Sequence, residues 1–229
     1  MKASHQNLRG SEALRMQRAQ EPEPLVIIVD DDAAVREGLS ELILSAGFSP
    51  VSFPSIGEVL GSGALESPGC LILDVRMPGA SGLQLQHQLV QSGNRKPIIF
   101  LTGHGDIPMT VQAMKAGALD FLTKPVRDQT LLDAVTVAIA ADAVQRAEAA
   151  VTKRSMEYLE TLTPRERSVL HEVAHGRLNK QIAFDLGISE VTVKLHRSNA
   201  MRKMHATSLG ELIRAWEALP ADVRETRTA

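Results

Sequence analysis

The first 140 residues alternate short apolar runs, most closed by polar residues, with stretches of helical periodicity. Leu25 to Val29 is uninterrupted apolar sequence that ends on Asp30, Asp31 and Asp32. Cys70-Leu71-Ile72-Leu73 ends on Asp74, Pro97 to Leu101 ends on Thr102, and Leu119 to Leu122 leads into Thr123-Lys124-Pro125. Short apolar runs bounded by turn residues predict strands buried on both faces. A further short strand is expected around Val51 to Phe53. Helices are expected between them. One runs over 33–46, with apolar residues at Val35, Leu39, Leu42 and Ile43, Asp32 as its cap and Gly47 as its stop. Others begin near Ser55, near Gly82 with Leu83, Leu85 and Leu89, near Pro108 up to Gly117, and near Gln129. Parallel strands need crossover helices, so five such alternations predict an α/β doubly wound five-stranded parallel sheet. Met77-Pro78-Gly79 is expected to end regular structure after Asp74.

The pattern then changes. From Leu131 to about Leu159 the sequence is rich in Ala, Glu, Gln, Arg and Val and has neither Pro nor Gly, which predicts a long helical connector. Thr163-Pro164-Arg165-Glu166 combines an N-cap, a proline at N1 and a Glu at N3, three agreeing signals for a helix start. That helix is expected to end at Gly176. A short one follows over 179–186, Gly187 turns the chain, and Ser189 caps another over 190–204. Ser208 opens an amphipathic helix through Leu209, Leu212, Ile213 and Trp216. Two short helices joined by a glycine turn, the second carrying Lys and Arg, predict a helix-turn-helix in an all-α domain. The expected domains are an N-terminal extension over 1–24, the sheet domain over 25–140, a helical linker over 141–161 and the helix-turn-helix domain over 162–229.

Charge separates the halves. The formal net charge is only −2. Leu25 to Arg127 nevertheless holds seven Lys and Arg against ten Asp and Glu, while Thr163 to Ala215 holds nine against five. An acidic half joined to a basic half points to a polyanion partner for the second alone. The single cysteine, Cys70, excludes an internal disulfide and a Cys-rich zinc site and reads as a small core residue. No apolar run reaches membrane-spanning length and no signal peptide is evident, so a cytoplasmic protein without membrane partners is expected.

A doubly wound sheet presents all its strand C-termini along one edge, where such folds bind ligands. Here that edge carries Asp30 and Asp31, Asp74, Thr102 and Lys124. Asp74 alone reads equally as a strand-capping Asp in a turn. Three convergent carboxylates, however, repel unless a cation joins them, and an oxygen-only set suits Mg²⁺. With a metal, Asp74 can attack a phosphoryl group, leaving Lys124 and the Thr102 hydroxyl to hold the added oxygens.

These stretches resemble the receiver domains of two-component response regulators: Val29-Asp30-Asp31-Asp32, Leu73-Asp74-Val75-Arg76-Met77-Pro78-Gly79, Leu101-Thr102-Gly103-His104-Gly105-Asp106 and Leu122-Thr123-Lys124-Pro125. The resemblance implies Asp74 as phosphoacceptor, Mg²⁺ held by Asp30, Asp31, Asp74 and the Arg76 carbonyl, and a cis Lys124-Pro125 bond. It also implies Phe121 as a switch aromatic that turns inward as Thr102 engages the phosphate. The segments L-T-P-R-E-R-S-V-L from Leu162 and N-K-Q-I-A-F-D-L-G-I-S-E-V-T-V-K-L-H-R-S-N from Asn179 resemble the LuxR-type helix-turn-helix of the NarL/FixJ family. The run from Thr102 to Gly117 is similar to its FixJ–StyR branch. The implied partners are a sensor histidine kinase, DNA, RNA polymerase and, once phosphorylated, a second copy of the chain. The implied output is transcriptional regulation, tilted towards activation.

The first two turns of a recognition helix enter the major groove. Lys194 is therefore expected to reach base edges and Leu195 to make apolar base contact. Lys180, Thr192 and Arg197 are expected to bind phosphates, with Val193 facing the core. Ser198 stands where some family members carry a base-contacting Lys, so sequence preference does not carry over with the motif. A Mg²⁺ phosphohydrolase of the haloacid-dehalogenase type would need a second Asp two residues after its nucleophile. Arg76 holds that place, so no enzyme is expected.

Overall fold

The computed structural model describes residues 22–103 and 105–225. Most of the extension expected over 1–24 lies outside them, as do His104 and residues 226–229. The chain falls into two compact units that divide between Gln145 and Arg146.

In the first unit, strands β1 (Leu25–Val29), β2 (Ser49–Phe53), β3 (Gly69–Leu73), β6 (Ile98–Thr102) and β7 (Asp120–Thr123) form one sheet. Their order is β2-β1-β3-β6-β7 and every pairing is parallel. Helices α1 (Ala33–Ser45), α2 (Ile56–Ser62), α3 (Gly82–Gln91), α4 (Ile107–Lys115) and α5 (Asp128–Glu160) supply the connections and the cover. Alternate residues along the strands serve opposite faces, as the two-residue repeat of a strand requires. Ile27, Val29, Leu71, Leu73 and Phe100 pack with α2, α3 and α4, while Val26, Ile28, Cys70, Ile72 and Ile99 pack with α1 and the first turns of α5. Cover on both faces is why the central strands read as unbroken apolar runs.

Two local features differ from the sequence reading. Regular structure does resume after Asp74, as a small hairpin of β4 (Arg76–Met77) and β5 (Ala80–Ser81) around Pro78 and Gly79. A single 3₁₀ turn, Ala64–Glu66, precedes β3.

Helix α5 runs unbroken for 33 residues across most of the segment read as a linker. Neither end of that segment is free. Asp142 is buried in the first unit, where its carboxylate accepts the Gly69 N–H at 2.7 Å. Ser155 and Leu159 are buried in the second. That unit continues with α6 (Pro164–Ala174), α7 (Asn179–Leu186), α8 (Glu190–Lys203), α9 (Leu209–Glu217) and a short, unforeseen α10 (Ala221–Glu225). Its core joins Leu159, Val169, Leu170, Ile182, Val193, Leu212 and Trp216. Thr163 and Glu166 form the full capping box on α6, and Lys203 adds an ion pair to Glu166 at 2.6 Å. Gly187 takes the left-handed conformation (φ 64°) that ends α7 and turns the chain into α8.

Candidate functional site

The strand ends of the first unit meet at one place. Asp30 follows β1, Asp74 follows β3, Thr102 ends β6, and Lys124 follows β7. Their register is held by the backbone. The Asp74 N–H donates to the Val29 carbonyl at 2.9 Å and the Lys124 N–H to the Thr102 carbonyl at 2.9 Å. Asp30, Asp74 and Thr102 are buried, at 2%, 9% and 1% exposure, while Asp31 is exposed. The three carboxylates each place an oxygen within 4.8 Å of the others'.

Lys124 crosses this cluster. Its Nζ lies 2.5 Å from Asp30 Oδ2 and 3.3 Å from Asp74 Oδ2. Burial alone lowers an ammonium pKa, but the hydrogen bond and charge of Asp30, joined by Asp74, outweigh it and hold Lys124 above its ordinary value of 10.5. It is a fixed positive charge at any physiological pH. The Lys124-Pro125 bond is cis.

The remaining acids divide by role. Asp30 Oδ1 accepts the Asp32 N–H at 3.0 Å, and Asp32 itself caps α1 through the N–H groups of Ala34 and Val35. The Arg36 guanidinium donates to the Asp30 carbonyl at 2.8 Å. Asp74 Oδ1 accepts the Arg76 N–H at 3.2 Å, while the Arg76 side chain is exposed. Asp106 is the N-cap of α4, accepting from Met109 N–H at 2.8 Å, which gives it a structural role.

Two glycines have close tertiary neighbours here, and Gly82, expected from the sequence at the start of a helix, is one of them. A Cβ on Gly82 would lie 2.3 Å from the Asp74 carbonyl oxygen, so only glycine lets α3 start this close to the acid's backbone. The other is Gly105, against which the Phe121 ring lies. Phe121 is the residue that the resemblance makes the switch aromatic. The ring already packs inward, half-buried against the core with its centroid 5.8 Å from that of Phe100. Backbone proximity of this kind leaves no trace in a one-dimensional pattern.

In the second unit Val193 is fully buried, which fixes the outward face of α8. Lys194 is exposed, Leu195 is 59% exposed and Val191 75%. Lys180 is exposed on α7. The Thr192 hydroxyl bonds the capping Ser189 hydroxyl at 2.8 Å. Half-buried Arg197 reaches Asn179 Oδ1 at 3.5 Å. Lys194, Arg197 and Arg202 line one shallow depression with Asn179, Ser198 and Met201. Asn179 and Arg202 were not singled out in the sequence. Arg202 belongs to the last turn of α8, beyond the first two turns that enter the major groove.

Comparison with known proteins assigns both units. Residues 26–136 match the response regulator receiver domain and residues 160–216 the luxR family of bacterial regulatory proteins. The chain is 48% identical over 202 residues to nodulation protein W of Bradyrhizobium diazoefficiens, covering 88% of this chain and 89% of that one. It is 49% identical over 195 residues to the response regulator protein TodT of Pseudomonas putida, covering 85% and 86%. Among solved structures it is similar to the response regulator StyR, with a TM-score of 0.75 at 47% identity, covering 86% of this chain and 99% of that one. Among the described residues no helix is long and apolar enough to cross a membrane.

Proposed function

The chain belongs to the NarL/FixJ family of two-component response regulators, which join a receiver to a LuxR-type DNA-binding domain, and we propose that phosphorylation of Asp74 sets its output as a transcriptional regulator. One observation carries the reading. Asp74 lies at the convergent strand ends, within 3.3 Å of the Lys124 ammonium and beside Asp30 and Asp31.

The donor is the phosphohistidine of a sensor histidine kinase or a small phosphoryl compound. A carboxylate oxygen of Asp74 attacks phosphorus as the bond to the leaving group breaks, and the imidazole leaves with a proton. Lys124 neutralises the arriving charge, and the Thr102 hydroxyl donates to a phosphoryl oxygen. The donor set is all oxygen and lies within 4.8 Å, which fits Mg²⁺. Asp30, Asp31, Asp74 and the Arg76 carbonyl would hold it. When bound, Mg²⁺ supplies charge neutralisation to the phosphoryl oxygens. Arg76 brings no acid–base group to the position that a phosphohydrolase needs. The product is therefore a phosphorylated protein whose readout lies in its second unit.

The exposed face of α8 reads DNA, with Lys194 and Leu195 at base edges and Lys180, Thr192 and Arg197 at phosphates. Phosphorylation drives pairing of two copies through the receiver, and the paired protein acts with RNA polymerase in the cytoplasm, in the direction of activation.

Labelling tests the site. A small phosphodonor with Mg²⁺ should give the wild type an acid-stable, base-labile phosphate, and Asp74→Asn should take none. Undiminished label on the Asn variant would move the site elsewhere.

A further inference from the structure

We propose that Gly105 is a positioning residue for the switch, its bare Cα forming the seat on which the Phe121 ring rests beside Thr102. The inference builds on the phosphorylation reading above and assigns a role that the acidic cluster does not contain.

The argument is one of space. A Cβ on Gly105 would stand 2.8 Å from Phe121 Cε1 and 3.3 Å from its Cζ. It would also stand 3.4 Å from the methyl of Thr102. The loop, the phosphate-sensing threonine and the aromatic ring thus meet at this one position. Contacts of 2.8 Å between carbon atoms do not persist in packed interiors, so something must move. The ring cannot retreat inward, because fully buried Phe100 lies behind it with centroids 5.8 Å apart. Its way out is towards solvent. Gly105 is not among the glycines with positive φ. An alanine there meets no left-handed backbone penalty, and the substitution therefore isolates packing from chain conformation.

The consequence reaches the receiver's surface. The residue after Gly105 is Asp106, whose carboxylate caps α4. Ile107, 81% exposed, and Val111, 45% exposed, stand on that helix. A ring displaced towards solvent no longer packs against the loop that leads into α4, while Asp30, Asp74 and Lys124 keep their own contacts. Occupancy of the seat couples Thr102 to the α4 surface. A side chain at 105 uncouples phosphorylation from its readout.

The test labels the full chain with fluorophenylalanine. It has five phenylalanines, and the Phe121 resonance is the one lost in Phe121→Leu. In Gly105→Ala that resonance should move to a solvent-responsive position. Asp74 labelling should stay within about twofold of wild type, while phosphate-induced dimerisation weakens by about tenfold. Leucine lacks the Cε1 and Cζ atoms that collide. Adding Gly105→Ala to a Phe121→Leu background should therefore change neither folding nor dimerisation further, and this pair also serves if the single variant folds poorly. An unmoved Phe121 resonance, or dimerisation of Gly105→Ala equal to wild type, overturns the inference while leaving the phosphorylation reading intact. A wild type that takes no label overturns that reading, and the coupling role of Gly105 falls with it.

Discussion

Lys124 shows how single residues in this fold do several things at once. Its ammonium holds Asp30 and Asp74 together, and under the proposed phosphorylation it is the cation that an incoming phosphoryl group needs. Asp74 was legible because a lone carboxylate closes a run of buried apolar residues, and such runs end at the ligand edge of a parallel sheet. Gly82 and Gly105 were legible only as loop or helix-start glycines, because what they contribute further is the absence of atoms at a tertiary contact. Cys70 illustrates the legible kind again. Its strand position implies burial, and the thiol is fully buried beneath α1 and α5. Burial pushes its pKa up to about 12, with the charge of Lys96 opposing and that of Asp142 adding. The thiolate that reacts with electrophiles is therefore scarce. Folded protein at pH 8 should resist a thiol reagent and react stoichiometrically once unfolded in denaturant. Rapid labelling of the folded chain would contradict this burial.

Elements were legible in proportion to their length and their caps. Asp32, Ser55, Thr163, Ser189 and Ser208 each accept a hydrogen bond from the helix they start. The β4–β5 hairpin and α10 were missed because two-residue strands and a helix of little more than one turn carry no period to read. The box on α6 gives a stability prediction. Burial tends to raise the Glu166 carboxyl, but hydrogen bonds from Lys203 and Thr163 outweigh it and hold the pKa below its ordinary 4.5. A depressed carboxyl stabilises the fold above the unfolded-state value, and that contribution fades as pH falls through the folded value. Lys203→Met should cost about 1–3 kcal/mol near neutrality. The gap to wild type should narrow as pH drops below 4.5. Denaturant melts of both proteins across pH 3 to 7 (about the range that brackets a carboxyl) check it, and a gap independent of pH would remove Glu166 from the account. Helix α8 gives a second prediction. A base contact by Lys194 should cost its Ala variant about 1–3 kcal/mol on cognate duplexes alone. Lys180→Ala should weaken all sequences alike and flatten the salt slope by about one unit. Equal loss on cognate and scrambled duplexes across a salt series would make Lys194 a backbone contact.

At the scale of the whole molecule the charge asymmetry was the legible signal. Three carboxylates gather in the first unit, and a basic depression lines α8 in the second. The boundary between units was harder to read, because α5 is helical on both sides of Gln145 and neither Pro nor Gly interrupts it there. What buries the ends of that segment, Asp142 in one unit and Leu159 in the other, is tertiary packing. The proposed phosphorylation of Asp74 would add about −1.5 to −2 charges there, a local event with a global readout. Sedimentation velocity of phosphorylated and unphosphorylated wild type at equal concentration, with Asp74→Asn treated in parallel, measures that readout. The account predicts a shift from monomer to dimer for the phosphorylated wild type alone. Identical mass distributions for all three samples would contradict it.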